Sequence, residues 1–104
     1  MMKFLIKISE EFEVLSSRQA GASARVRFLS LLKSSENFLV IDFECHNISP
    51  SFADESIGLL AQQLGMKEFK ERVKIINASA QTKAILKHVI TSRVSTKAKE
   101  NSFA

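Results

Sequence analysis

The sequence predicts a small single-domain α/β fold, with a mixed or partly parallel sheet packed against helices. Three observations carry that expectation. An apolar run, Leu39-Val40-Ile41, continues through Asp42 into Phe43 and passes within a few residues into a helix start at Ser49-Pro50-Ser51. Strand-like and helix-like patterns alternate along the chain, and strands joined by helical crossovers pair in parallel with right-handed connections. The length, 104 residues, suffices for one core and leaves no room for a separate catalytic domain.

Taken in order, Phe4, Ile6 and Ile8 alternate with Lys3, Leu5 and Lys7, the pattern of a half-exposed strand at or near a sheet edge. Glu11 to Leu15 also alternates, with Phe12 and Val14 on one side. It reads either as a partner of the first strand or as an irregular connection. From Ser17 to Leu32 the period turns helical. Ala20, Ala24, Phe28 and Leu31 form one stripe and leave Arg18, Arg25 and Lys33 for solvent. A turn at Ser34-Ser35-Glu36-Asn37 leads to a central strand from Phe38 to Phe43. Its apolar composition predicts cover on both faces.

A helix follows from about Pro50 to Leu64, with Phe52, Ile57, Leu60 and Leu64 inward and Gly65 as its stop. Gly58 sits mid-helix, where glycine costs roughly 1 kcal/mol against alanine, and a close approach to a strand would explain it. Met66 to Arg72 forms a short helical turn with Lys67–Glu71 and Glu68–Arg72 at i,i+4. Val73 to Asn77 is a third strand. Ser79 starts a last helix through about Arg93, with Ala84, Ile85, Val89 and Ile90 inward. Residues 1–94 make the domain, and residues 95–104, polar and without periodicity, a flexible tail.

The helix start holds the chemistry. Pro50, the only proline, suits the first helical position and makes Ser49 the N-cap. Alternatively Ser51 caps and Asp54 closes a capping box. Either way, small polar groups stand at a helix N-terminus beyond a central strand, where α/β proteins place their working surface. Unpaired N–H groups there favour a phosphate, so the two serines read either as a regulatory phosphoserine site or as a cap alone. A phosphate would meet the like charge of Asp54 and Glu55. Adjacent on a helix, those carboxylates point about 100° apart and make a poor catalytic pair; capping and solvation suit them better.

Asp42 and Phe43, with Ser49, Ser51, Phe52, Ala53, Asp54 and Glu55, resemble the STAS-like domain family of unknown function. Its helix start reads roughly Ser-x-Ser-Phe-Ala-Asp-Glu after a hydrophobic strand ending in Asp-Phe. The resemblance runs from about Phe4 to about Arg93, and its specific part is the helix start. More remotely, the arrangement is similar to the STAS domains of bacterial anti-sigma-factor antagonists. There an Asp-Ser-Ser-Gly motif stands at the same helix start and a partner kinase phosphorylates one serine. Pro50 stands where that motif has a serine, and Phe52 where it has a glycine. The resemblance implies a bacterial, cytoplasmic, non-enzymatic regulatory domain that binds another protein, a kinase-type ATPase or anti-sigma partner. It places that contact at Ser49, Ser51, Phe52, Asp54 and Glu55, within a surface from His46 to Glu55 and the next turn through Ser56 and Leu59. Asp42, Phe43, Pro50 and Gly58 are its structural part. The alternative is a small-ligand or nucleotide-responsive sensor using the same helix N-terminus.

Composition narrows the remaining classes. No apolar run approaches 18 residues, the length that spans a membrane, and the basic, apolar N-terminus lacks the form of a signal peptide. A single cysteine, Cys45, fits a reducing compartment. The net charge of +4 lies in the second half, since residues 51–104 hold nine basic and five acidic side chains. Without base-stacking aromatics this predicts no specific nucleic-acid binding. Lys83, Lys87 and Arg93 read as a solvated helix face. Asp42, Glu44, Cys45 and His46 are the cluster nearest to a metal set, with Asp42 and Glu44 on one face if the strand continues. They lack zinc spacing, so no metal and no cofactor is expected. Gly21, Gly58 and Gly65 are isolated and build no phosphate-cradling loop.

Overall fold

The computed structural model describes residues 2–102. Strands β1 (Lys3–Lys7), β2 (Phe38–Asp42) and β3 (Val73–Ile76) form one sheet in the order β1-β2-β3, with both pairings parallel. β1 is therefore an edge, as its alternation predicts, and β2 is central. β1 and β2 are each joined to the next strand by a helical crossover, the connection that parallel pairing requires.

Helix α1 (Ile8–Glu11) continues straight from β1. The chain then runs irregularly to Ser17, so the connection here is irregular and not a fourth strand. Phe12 closes that loop with its ring edge-on to Phe28, centroids 5.8 Å apart. Helix α2 (Arg18–Leu31) is capped by Ser17, whose side chain accepts from the Ala20 N–H. After β2 come α3 (Pro50–Ala53), a π-helical turn (Asp54–Gly58) and α4 (Leu59–Leu64). Their junctions keep right-handed helical dihedrals, so they form one continuous central helix. Gly65, at φ +86°, ends it. Helices α5 (Met66–Arg72) and α6 (Ala80–Ser102) complete the chain.

The core lies between the helices and one face of the sheet. Ile6, Leu39, Ile41 and Val73 meet Ala24 and Phe28 of α2, Phe52, Ile57 and Leu60 of the central helix, and Leu86 and Val89 of α6. Two right-handed crossovers that step the same way across a sheet leave their helices on the same face. The opposite face carries Lys3, Leu5, Lys7, Phe38, Val40, Asp42, Lys74 and Ile76 by alternation and register. None of its apolar members belongs to the core cluster, and Leu5 is 58% exposed. The expectation of cover on both faces of β2 is thus corrected. Val40 is nonetheless only 8% exposed.

The central helix is flanked by α2 and α6, and small residues bring the three close. A Cβ at Gly21 would stand 2.8 Å from both the Phe52 carbonyl oxygen and the Glu55 Cβ. One at Gly58 would stand 3.0 Å from Asp54 Oδ1 and 3.3 Å from Val89 Cβ and Arg93 Cγ. Gly58 therefore approaches the last helix, and not a strand. In α6 the inward stripe is Thr82, Leu86 and Val89, whereas Ala84 is exposed and Ile85 and Ile90 are half-buried. The helix also runs on to Ser102, through the stretch expected to fray, while residues 103–104 lie outside the described residues. No helix among the described residues is long and apolar enough to cross a membrane.

Candidate functional site

Ser49 is the cap. Its Oγ accepts from the Phe52 N–H at 3.0 Å and donates to the Ser16 carbonyl at 2.8 Å, while its own N–H donates to Leu15 O. These bonds tie the helix start to the loop before α2, and Pro50 follows at the first helical position. Asp54 closes no capping box. Ser51 is half-buried, and its hydroxyl makes no hydrogen bond among the described residues. Phe52 is fully buried and anchors the helix from below. Ser56 is also buried, donating to the Phe52 carbonyl at 2.6 Å, so it leaves the expected surface, while Leu59 is half-buried.

The two carboxylates lean toward different flanks, with Arg18 shared between them. Asp54 receives Arg93 of α6 in a two-pronged contact, Nε to Oδ1 at 2.8 Å and a terminal nitrogen to Oδ2 at 2.6 Å. Glu55 turns toward α2, where Arg25 reaches its carboxylate at 3.3 Å and its backbone carbonyl. Arg18 bridges the pair, 2.9 Å from Asp54 and 3.1 Å from Glu55. Arg93, and then Arg18, hold the Asp54 carboxyl well below its ordinary range, down to about 2 against the pull of partial burial. The same contact with Asp54 raises the Arg93 guanidinium further. Asp54 is thus a fixed anion at neutral pH.

These arginines are the residues that sequence reasoning placed in solvent. Arg25 is half-buried and Arg93 is paired, whereas Lys33, Lys83 and Lys87 do face water. A signal for them exists. Arg18, Gly21 and Arg25 share one stripe of α2 at i, i+3 and i+7, and Arg93 continues the buried stripe of Thr82, Leu86 and Val89. A cation that prolongs an apolar stripe needs a buried or half-buried partner.

Together Arg18, Pro50, Ser51, Asp54, His88 and Arg93 line a surface concavity of about 380 Å³ between the helix start and α6. Ser51 stands at its wall with one unengaged hydroxyl. Asp54 and Glu55 supply two negative charges and Arg18, Arg25 and Arg93 three positive ones, so the immediate surroundings are net cationic. The like-charge objection to a phosphate at Ser51 is therefore offset.

The strand-end residues do not converge. β2 ends at Asp42, and Glu44 and Cys45 follow with φ of 52° and 60°. Asp42 accepts from the Glu44 N–H and the Asn77 amide, and Glu44 reaches back to Ser9. Left-handed backbone at Glu44 breaks the alternation that would have kept Asp42 and Glu44 on one face. No three His, Cys, Asp or Glu among the described residues gather as a metal set. Phe43 is buried beside Asp42.

Comparison with curated proteins and with solved structures returned no match. The family model for the STAS-like domain of unknown function (DUF4325) matches residues 25–83, more than half of the chain, and covers the second half of α2, β2, the capped helix start, β3 and the beginning of α6. Parallel strands with helices on one side agree with that match. The chain belongs to the family of STAS-like domains of unknown function.

Proposed function

We propose that this chain is a non-enzymatic regulatory domain that binds another protein through the concavity at the helix start, and that Ser51 is its switch. One observation carries the reading. Ser49 takes the capping role, which leaves the Ser51 hydroxyl unengaged beside the cationic surroundings of Arg18 and Arg93. A phosphate on Ser51 would lie at a helix N-terminus and near guanidinium groups, both of which favour it. It would also add up to two negative charges to the surface a partner must cover. The partner class is a kinase-type ATPase, by likeness to the antagonist STAS domains, and the setting is a bacterial cytoplasm. Asp54, Glu55 and Ser49 support the surface by fixing its shape, and Phe52 supports it from the core.

The test compares Ser51→Asp with Ser51→Ala. Both should melt within about 3 °C of the parent chain, because Ser51 is not the cap, has no hydrogen bond among the described residues to lose and opens on a concavity, and surface changes of this kind stay within roughly 0.5 kcal/mol. On affinity capture from the source lysate, a partner should be retained by the parent and the Ala variant and lost by the Asp variant. Equal capture by all three ends the switch reading. A thermal shift with a nucleotide, and no protein partner at all, would favour the sensor alternative instead.

A further inference from the structure

We propose that the open face of the sheet, on the side away from the helices, docks an acidic amphipathic helix of a partner protein. A wholly parallel sheet is normally covered on both faces, and here the helices cover one. The open face has a composed pattern. Leu5, Val40 and Lys74 lie side by side across the three strands, as do Lys7, Asp42 and Ile76, with Lys3 beside Phe38. On this face Leu5 is exposed, Phe38 and Ile76 are half-buried and Val40 is 8% exposed; they form an apolar band, and none of them joins the main core cluster.

Charge selects the occupant. Lys3, Lys7 and Lys74 are exposed and make no ion pair among the described residues. The one strand carboxylate on this face, Asp42, is engaged by the Glu44 N–H and the Asn77 amide. A groove of about 420 Å³ runs from Lys3 and Phe38 past Val40 to Lys74, and there Lys70 and Glu71 offset one another. Arg72, at its end, is spent on the carbonyls of Leu32, Ser34 and Asn37. An apolar band rimmed by three free lysines matches a helix with an apolar stripe bordered by Asp or Glu. A second copy of the same face would set lysine against lysine, which disfavours self-association. Strands of five residues span about 17 Å, which a helix of roughly 12 residues covers.

The probe is a pair of synthetic amphipathic helices of about 18 residues, with the same leucine stripe, flanked by glutamate in one and by lysine in the other. Their affinity for the full chain is read by fluorescence anisotropy. The glutamate peptide should bind roughly ten-fold tighter or more than the lysine peptide, through complementary charge. Leu5→Asp and Lys74→Glu should each weaken it by a similar factor. Both positions are exposed, so both variants should keep the parent's circular dichroism. Equal affinity for the two peptides, no binding of the glutamate peptide near millimolar concentration, or binding indifferent to both variants overturns the proposal. A dimer that Leu5→Asp dissolves assigns the face to a second copy and overturns it as well. So does association with phosphatidylglycerol vesicles but with neither peptide.

Discussion

The two flanks of the central helix are built to different tolerances. On the α2 side, Gly21 meets backbone, since a Cβ there would press on the Phe52 carbonyl oxygen and on the first side-chain carbon of Glu55. On the α6 side, Gly58 meets side chains that can move a few tenths of an ångström. Both flanks carry ion pairs: Arg18 of α2 reaches Asp54 at 2.9 Å and Glu55 at 3.1 Å and Arg25 reaches Glu55 at 3.3 Å, while Arg93 of α6 holds Asp54 in a two-pronged contact. The α2 flank adds a steric fit to its ion pairs, and the α6 flank rests on charge and on side chains that can yield. The concavity with Ser51 opens on the charged flank, where small rearrangement is cheapest.

The steric flank should break first. Gly21→Ala forces two helices apart, and overpacking of this kind costs about 2–3 kcal/mol, more than the roughly 1 kcal/mol that alanine returns in helix propensity. Denaturant melts would show it as a lowered midpoint, and a midpoint equal to the parent's would mean that the α2 contact yields as easily as the other.

The charged flank should break with acid. Asp54 has its carboxyl lowered from 3.8 to about 2 in the folded chain. Its contribution is therefore complete above the unfolded value and is lost as pH falls through the folded one. It amounts to about 2 kcal/mol for a group this shielded. Asp54→Asn should destabilise by about that much at neutral pH, and the gap between variant and parent should close between pH 3.8 and about 2. A gap independent of pH would assign the effect to packing.

The smallest effect belongs to Gly58. Gly58→Ala should change stability by less than about 1 kcal/mol, because the propensity gain and the squeeze on Asp54, Val89 and Arg93 are of similar size. A loss as large as that of Gly21→Ala would erase the distinction between the flanks.

The elements were legible because each rests on short-range pattern. The strand at Phe38, the capped starts at Ser17 and Ser79, the stop at Gly65 and the edge position of β1 all follow from residues within a few places of one another. Ala84 and Arg25 were misplaced for one reason. Several helical stripes compete for the core, and the packing of α6 and α2 chooses among them. The extension of α6 to Ser102 is not legible in the sequence, because a polar stretch without a stripe carries no periodic signal.

By itself, the sequence determined the α/β class, the family motif and the presence of two serines at a helix start. Tertiary structure decided which serine is free, because Ser49 is claimed by Ser16 of a loop 33 positions away. It also decided that Asp54 and Glu55 are paired, through arginines 30 to 39 positions distant. And it left one face of the sheet without a helix, since both crossovers return their helices to the same side. Each of these depends on contacts between segments far apart in the chain, which local residue preference does not encode.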